Sequence, residues 1–188
     1  IPALLRLACP LLVGQLAVIA FGVLDTAMVA RYSATDLAAL AMAGAIFISI
    51  YVGLTGVVSA LAPIAGQLFG ALRLPEIGEE VRQAWWLSLG LSLLGIIILI
   101  NPEPLLSIAE SNPEVEAKAI LYLQIVALGL PASMALRVLV GFHNAISRPA
   151  VITWIQIGGL FLKIPLNALF IYGLGNFEGL GAPGCAIA

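Results

Sequence analysis

The sequence predicts an all-α membrane protein, a polytopic bundle of transmembrane helices. Hydrophobic residues make up 62% of the 188 residues and charged residues only 10%, whereas soluble domains carry about 25% charged residues. The apolar residues form five segments, each near or above the roughly 20 residues that cross a bilayer. Short stretches with proline, glycine and charged residues separate them, as in the loops between membrane helices. The net charge of −2 is too small to indicate a nucleic-acid partner.

The spans follow one another in order along the chain. Asn112 and Pro113 predict the start of span four, since asparagine caps helices and proline suits the first helical position. Pro75 is interpreted as a breaker in the link from residue 70 to residue 80. After Gly184 the chain turns apolar again, which predicts the start of a sixth span and indicates a fragment of a longer protein. The spans cover about residues 7–30, 37–69, 81–100, 115–142 and 150–172, with the sixth from about 184.

Lysine and arginine placement predicts the orientation. Basic residues concentrate in the cytoplasmic loops of membrane proteins. One side of the predicted bundle holds five of them and the other side two, which places the N-terminus in the cytoplasm of a multi-pass protein of the inner (plasma) membrane. The first set is Arg6, Arg73, Arg82, Arg137 and Arg148, and the second is Arg31 and Lys118. The outward link between spans three and four carries acids, among them Glu110, but acids contribute little to this rule.

Asp25 is the first candidate functional residue. It is the only ionisable residue in the apolar run 7–30. A carboxylate at membrane depth costs several kcal/mol unless it finds a partner, water or a proton. Gly14, Val18 and Gly22 precede it at three- and four-residue steps, which places the acid on a small-residue face that packs against other helices.

Span five carries polar residues expected to meet Asp25. Gln156, Lys163 and Asn167 lie within about 40° of one another at 100° per residue, so they form one polar stripe. Counted from the span ends, Asn167 is level with Asp25, and Lys163 lies about 6 Å deeper, within reach of a lysine side chain. A static ion pair that fixes helix register is the alternative interpretation of Asp25 and Lys163, and such pairs add little net stability.

Two polar residues of span one complete the candidate site. Thr26 can add a hydroxyl beside Asp25. Gln15 lies about 80° around the helix from the acid and can face the same cavity. An ordinary interhelical hydrogen bond is the alternative role for Gln15, Gln156 and Asn167.

Enzyme chemistry finds no support in the sequence. The single histidine, His143, has no cysteine, histidine or acid at metal-ligand spacing, so no metal site is predicted. No Ser–His–Asp arrangement, nucleotide loop or Gly-x-Ser-x-Gly motif is present. Arg82, Arg137 and Arg148 are interpreted as orientation anchors.

Five local stretches, in order along the whole chain, resemble the N-terminal lobe of the multidrug and toxic compound extrusion (MATE) family, nearest its NorM-like bacterial branch. The first, at residues 24–31, resembles the Asp-Thr motif of the family's first helix. The most specific block runs from Ile164-Pro165-Leu166-Asn167 through Gly181-Ala182-Pro183-Gly184-Cys185. The remaining stretches are Leu37-Ala38-Ala39-Leu40, Ala65-Gly66-Gln67-Leu68-Phe69-Gly70 with Val81-Arg82-Gln83-Ala84, and Gly129-Leu130-Pro131 with Arg137 and Pro149.

The resemblance implies a fold of twelve helices in two six-helix lobes. This chain, residues 1–188, would be the N-terminal transmembrane lobe with about five and a half helices, and the C-terminal lobe is absent. It implies efflux of organic cations and drugs in exchange for H⁺ or Na⁺, with no other cofactor. The family's cation site maps to Asp25, Lys163 and Asn167. The first helix-five position is often asparagine in the family, and a lysine there would compete with Na⁺, which favours proton coupling.

Two further functions remain open at this point. One is a flippase or exporter of lipid-linked intermediates, which would need several basic residues along its cavity. The other is a structural membrane subunit in which Asp25 and Lys163 only dock two helices.

Overall fold

The computed structural model of the protein describes residues 2–106, 112–174 and 177–188. Within these residues the chain is a helical bundle with one small hairpin. Five of its helical stretches are long and apolar enough to cross a membrane. The elements are α1 (Pro2–Tyr32), α2 (Ala34–Val58), α3 (Leu61–Gly70), α4 (Leu74–Ile100), α5 (Glu103–Leu106), α6 (Pro113–Ala145), α7 (Ala150–Tyr172), β1 (Gly173–Leu174), β2 (Phe177–Glu178) and α8 (Ala182–Ile187).

The second predicted span is divided into α2 and α3 rather than one continuous helix. Pro63 has no N–H, so the Ser59 carbonyl loses its normal helical donor four residues later. That carbonyl instead accepts the backbone N–H of Ala62 at 3.3 Å, and the helix breaks there. The bend is therefore encoded by one proline inside a segment that hydropathy treats as continuous.

The third span also departs from its predicted start. Helix α4 begins at Leu74, although the apolar segment begins near residue 81. Pro75 occupies one of the first two helical positions, where its missing N–H costs nothing, so it starts this helix rather than breaking it. The extra turns are charged, and they contain two ion pairs between neighbouring turns, Arg73 with Glu76 and Arg82 with Glu79.

The other boundaries lie close to their predicted positions. Helix α6 begins at Pro113, and the Asn112 side chain accepts the Glu114 N–H at 3.0 Å, as expected for a cap. Helix α7 spans Ala150–Tyr172, and α8 begins at Ala182. The predicted outward acid Glu110 and the Arg6 side chain lie outside the described residues.

Helix α6 is the centre of the bundle and packs against α2, α3, α4 and α8. Its inner face consists of the fully buried Leu123, Leu130, Met134 and Val138, which recur at helical spacing. A Cβ added to Gly95 of α4 would overlap the Leu130 side chain. This glycine therefore allows α4 and α6 to approach closely.

Helix α1 packs mainly along α7. Gly14 makes this approach possible, because a Cβ there would lie 2.5 Å from Oε1 of Gln156 and 3.3 Å from Oγ1 of Thr153. The Thr153 hydroxyl also donates to the Pro10 carbonyl at 2.8 Å. Gly14 and the Thr153 hydroxyl thus bring together α1, which carries Asp25, and α7, which carries the polar stripe.

A buried ion pair fixes the end of the bundle where α1 ends and α2 begins. The Asp36 side chain is 2% exposed. Its carboxylate accepts Lys118 Nζ at 2.7 Å and the Ala182 backbone N–H at 3.0 Å. One carboxylate therefore joins α2, α6 and the first turn of α8.

Gly181 lies in direct contact with this carboxylate and has no space for a side chain. Its φ of +63° suits glycine, and an added Cβ would overlap Oδ1 of Asp36. We expect Gly181→Ala to lower the free energy of unfolding by about 1–3 kcal/mol through backbone strain and this clash. The measurement is the thermal midpoint of the purified full-length protein. The control is Gly90→Ala, where nothing lies within 4 Å of the new Cβ; equal midpoints for both variants would contradict the assignment.

Candidate functional site

The Asp25 carboxylate is bound on both oxygens by side chains from one other helix. Lys163 Nζ donates to Oδ2 at 2.8 Å, and Asn167 Nδ2 donates to Oδ1 at 2.7 Å. The side chains of Lys163 and Asp25 are 17% and 15% exposed, and Asn167 is fully buried. The structure thus brings together the three residues that the polar stripe and the lone acid predicted to meet.

Helical spacing explains how both donors reach one carboxylate. Lys163 and Asn167 are four residues apart on α7, so their side chains leave the same face one turn apart. The Lys163 ammonium also lies 5.5 Å from the centre of the Phe21 ring, which is one turn before Asp25 on α1. A cation over an aromatic face is attracted by the ring quadrupole. Lys163 is therefore held by the Asp25 carboxylate and the Phe21 ring, which both belong to α1.

One polar atom in this cluster has no hydrogen-bond partner among the described residues. It is Oδ1 of Asn167, which is buried beside the carboxylate that Nδ2 of the same amide contacts. Buried acceptors in native proteins are normally satisfied. The cluster therefore combines a carboxylate, a cation and a free acceptor within one small buried volume.

Two residues that were not predicted as site residues pack one turn beyond the cluster. Cys185 of α8 and Tyr122 of α6 belong to a hydrophobic cluster that includes Val29 of α1 and Ile171 of α7. Cys185 is 3% exposed. Neither residue lies on a polar stripe, so sequence periodicity offered no signal for them.

Thr26 does not join the Asp25 cluster. Its hydroxyl donates to the Gly22 carbonyl at 2.9 Å within the same helix. The side chain is exposed and lines a shallow hollow with Ile19 and Val23. The prediction that Thr26 adds a hydroxyl beside the acid is wrong, because adjacent helical residues point about 100° apart.

Gln15 and Gln156 line a cavity of about 400 Å³ next to the Asp25 cluster. Phe21 lies at the boundary, since it lines this cavity and also contacts Lys163. Gly159, on the polar stripe of α7, packs against Phe21, because a Cβ added there would lie 3.4 Å from the ring. Gln15 was expected to face the same cavity as Asp25, but the lining of this cavity does not include Asp25. Gln15 shares it with Gln156 instead.

Arg137 was interpreted as an orientation anchor, and the structure places it differently. It lines the same cavity as the glutamines. Its Nε donates to the Tyr51 hydroxyl at 2.9 Å, and its guanidinium lies 5.4 Å from the centre of the Tyr51 ring. Arg137 lies eight residues before the end of α6, about 12 Å along the helix axis, and its side chain is exposed. It faces the cavity, and this position does not by itself decide whether it also anchors the orientation of the chain.

The Asp36–Lys118 pair was missed at the sequence level. Asp36 follows Ser33 by three residues at a helix start, and this spacing reads as a capping box. Ser33 does accept the Asp36 N–H at 3.4 Å. Lys118 was counted only for orientation, so nothing in the sequence separated this buried pair from surface charges.

These helices and the paired acid between them define an integral membrane protein with a buried charged site. The MatE family model matches residues 10–169, and the chain therefore belongs to the MATE family. It is 38% identical over 186 residues to "Multidrug resistance protein PmpM" of Pseudomonas aeruginosa, covering 98% of this chain and 39% of that protein. It is 36% identical over 187 residues to "Multidrug resistance protein MdtK" of Edwardsiella ictaluri, covering 99% and 41%.

The chain spans about 40% of the length of these curated relatives. Among solved structures, it is similar to an outward-facing multidrug resistance MATE family transporter with a TM-score of 0.87 and 22% identity, covering 98% of this chain and 41% of that one. A MATE structure in the bent conformation gives a TM-score of 0.82 at 23% identity, covering 98% and 41%. These structures support the fold, with one helical lobe accounting for the whole of this chain.

The pairing of Asp25 with Lys163 predicts a specific pattern of stabilities. The pair is partly buried, with side chains 17% and 15% exposed. Removing one member leaves a poorly solvated, unpartnered charge, and the cost of about 3–5 kcal/mol for a fully buried pair is an upper limit here. We expect Asp25→Ala and Lys163→Met each to lower the thermal midpoint of the purified full-length protein. The double variant should recover much of the loss, because no buried charge remains.

A double-mutant cycle measures this coupling. The matched comparison is the exposed pair formed by Arg82 and Glu79, whose coupling should be below about 1 kcal/mol. Additive losses at Asp25 and Lys163 would show that the two side chains do not pair in the folded protein.

Proposed function

We propose that this chain is part of a multidrug efflux antiporter, which exports organic cations and other drugs in exchange for H⁺ or Na⁺, with the Asp25 cluster as the cation-coupling site. The observation that carries the proposal is one carboxylate between membrane-crossing helices, held by Lys163 and Asn167 of a single partner helix. Family membership and relatives named as multidrug resistance proteins support the transported class.

Protonation of Asp25 would change the charge and the hydrogen-bonding groups that it offers to Lys163 and Asn167. The ionised carboxylate accepts from both Lys163 and Asn167. A protonated carboxyl has lost its charge, so a buried Lys163 ammonium would have to move or lose its own proton. Proton uptake is therefore linked to the relative position of α1 and α7.

Asn167 offers the protonated carboxyl a new partner. Its free Oδ1 can accept the new O–H if the amide rotates, so that acceptor and donor exchange places. The amide thus serves both protonation states. This supports a site that switches between two hydrogen-bond arrangements, rather than one that only holds two helices together.

Lys163 bears on the choice of ion. An ammonium 2.8 Å from the carboxylate already occupies the place of a cation. Na⁺ would have to displace it and would then leave it unpaired nearby. We therefore propose H⁺ as the coupling ion.

The remaining partners follow from the size and surface of the chain. Relatives are more than twice as long, so we propose that a C-terminal lobe completes the drug pathway. Exposed leucine, isoleucine and valine side chains, such as Leu12, Leu16 and Ile19 on α1, fit contact with the lipid bilayer or with that lobe. We propose a multi-pass location in the inner membrane with a cytoplasmic N-terminus, which the basic residues Arg73, Arg82 and Arg148 support.

Two other functions are less well supported. A flippase of lipid-linked intermediates would need several unpaired cations along the cavity, and Lys163 is already paired with Asp25. A purely structural subunit would need only the charge pair itself. The free acceptor on Asn167 and the adjacent cavity with Gln15 and Gln156 favour a transport site.

A transport assay separates coupling from docking. In liposomes containing the full-length transporter, we expect Asp25→Asn to abolish drug movement driven by an imposed proton gradient, because the amide cannot take up a proton. An imposed Na⁺ gradient should drive little transport in the native protein. Glu103→Gln makes the same chemical change at an exposed residue of α5 and should transport normally.

The charge-swapped variant, Asp25→Lys with Lys163→Asp, tests the structural alternative. It should retain the folded protein but lose gradient-driven transport, because the acid then sits beside different neighbours. Full transport by this variant, or by Asp25→Asn, would rule out the coupling role.

A further inference from the structure

Arg137 is a permanently charged residue on the cavity side of the bundle. It sits about 12 Å from the end of α6 along the helix axis. Among the described residues it has no acidic partner within ion-pair distance. Arginine cannot be deprotonated in proteins, and the Arg137 side chain is exposed to the cavity, so its charge is available to a ligand there.

Tyr51 holds this guanidinium in place. Its hydroxyl accepts from Nε at 2.9 Å, and its ring lies under the guanidinium at 5.4 Å. Tyr51 itself stacks on Phe47, with ring centres 5.4 Å apart and an angle of 16° between planes. Two packed aromatic rings of α2 therefore orient the charge before any ligand binds, which lowers the entropy cost of binding.

Most of the hydrogen-bonding capacity of Arg137 is unused. A guanidinium has five N–H donors, and the structure assigns a partner to one of them, on Nε. The other four lie on the terminal nitrogens, which bind the two oxygens of a carboxylate as a fork. Lys163, in contrast, is already paired with the Asp25 carboxylate and is less available to a ligand.

The cavity around Arg137 suits a flat, polar-edged molecule. It measures about 400 Å³, within the range of small-molecule sites. Phe21 and Tyr51 supply aromatic surface, and Gln15, Asn144 and Gln156 supply amide donors and acceptors. This combination of one cation, amides and rings differs from a site built only for cations, which would need acids.

We propose that Arg137 is a specificity-determining residue that pairs with the carboxylate of aromatic, carboxylate-bearing substrates, most simply zwitterions. This inference rests on the proposed drug export and adds a second charged site, distinct from the Asp25 cluster. The positive end of a zwitterion remains free for other parts of the pathway. Substrates that carry only a positive charge do not use Arg137 and bind without it.

A matched pair of substrates tests the proposal in the full-length transporter. Ciprofloxacin is a planar aromatic zwitterion, and its methyl ester lacks only the free carboxylate. We expect Arg137→Gln to weaken ciprofloxacin binding about 10- to 100-fold, as for loss of a charge-assisted hydrogen-bonded pair. KM should rise with little change in kcat, and binding of the methyl ester should not weaken.

Two further variants keep the test interpretable. Arg137→Lys retains the charge without the fork and should give an intermediate loss for ciprofloxacin. Tyr51→Phe keeps the ring and Arg137 but removes the hydroxyl that orients it, so it should give a smaller loss confined to ciprofloxacin. Arg148→Gln, at the link between α6 and α7, is the control and should bind both compounds normally.

The outcomes separate this proposal from the proposed function. If the native transporter moves neither compound, drug export itself is contradicted. If Arg137→Gln and Tyr51→Phe weaken both compounds equally, Arg137 only supports the cavity wall. If the effect instead follows the phosphatidylglycerol content of otherwise phosphatidylcholine vesicles, the anionic ligand is a lipid headgroup, and the carboxylate assignment is wrong.

Discussion

The fold depends on one constraint: a carboxylate buried in an apolar bundle must have a cation and donors beside it. The described residues contain two such acids, and each pairs with a lysine far along the sequence. Asp25 pairs with Lys163, 138 residues away, and Asp36 pairs with Lys118, 82 residues away. The first pair sets α1 against α7 and the second sets α2 against α6. The two ion pairs thus help to determine which helices pack against each other.

The two pairs are built differently, and the difference suggests different roles. Asp36 is 2% exposed and binds Lys118 and the first turn of α8, where Gly181 leaves no room for a side chain. Any movement there would break several contacts at once. Asp25 and Lys163 retain 15% and 17% exposure, and the neighbouring Asn167 keeps an unused acceptor. Lys118 itself is 32% exposed, so the two pairs differ mainly in the contacts of the acid. Asp36 also accepts the Ala182 N–H, whereas the Asp25 cluster keeps a spare acceptor and can exchange hydrogen-bond partners at lower cost.

Much of this arrangement could be predicted from the sequence, because bilayers impose simple rules. The membrane helices follow from apolar length, and the Asp25 cluster follows from a lone acid on one helix and a stripe containing Lys163 and Asn167 on another. The length of the second span allowed a tilt or a bend, but the break at Ser59 was not located, and the early start of α4 was not predicted. Both depend on how a single proline is accommodated, and Pro63 breaks one helix while Pro75 begins another. Hydropathy averages over such positions and does not resolve them.

Side-chain direction was the second limit. Thr26 follows Asp25 in the chain yet turns away from it, since consecutive helical residues diverge by about 100°. Arg137 was counted with the basic residues at the cytoplasmic ends of the helices, whereas its direction depends on Tyr51, 86 residues earlier. Asp36 was hidden because an acid three residues after Ser33 is normal at a helix start. The Arg137 and Asp36 errors concern contacts between distant parts of the chain, whereas the Thr26 error concerns the local direction of one side chain.

Phe21 connects the two charged regions physically. Its ring lies 5.5 Å from the Lys163 ammonium and also forms part of the wall of the cavity that contains Arg137. Gly159 of α7 lies beside the same ring and has no side chain to hold it away. If proton uptake at Asp25 displaces Lys163, the ring loses its cation and the wall of the adjacent cavity changes. In the proposed antiporter, a single aromatic side chain between the two sites is thus a direct route by which the charge on Asp25 can alter substrate binding.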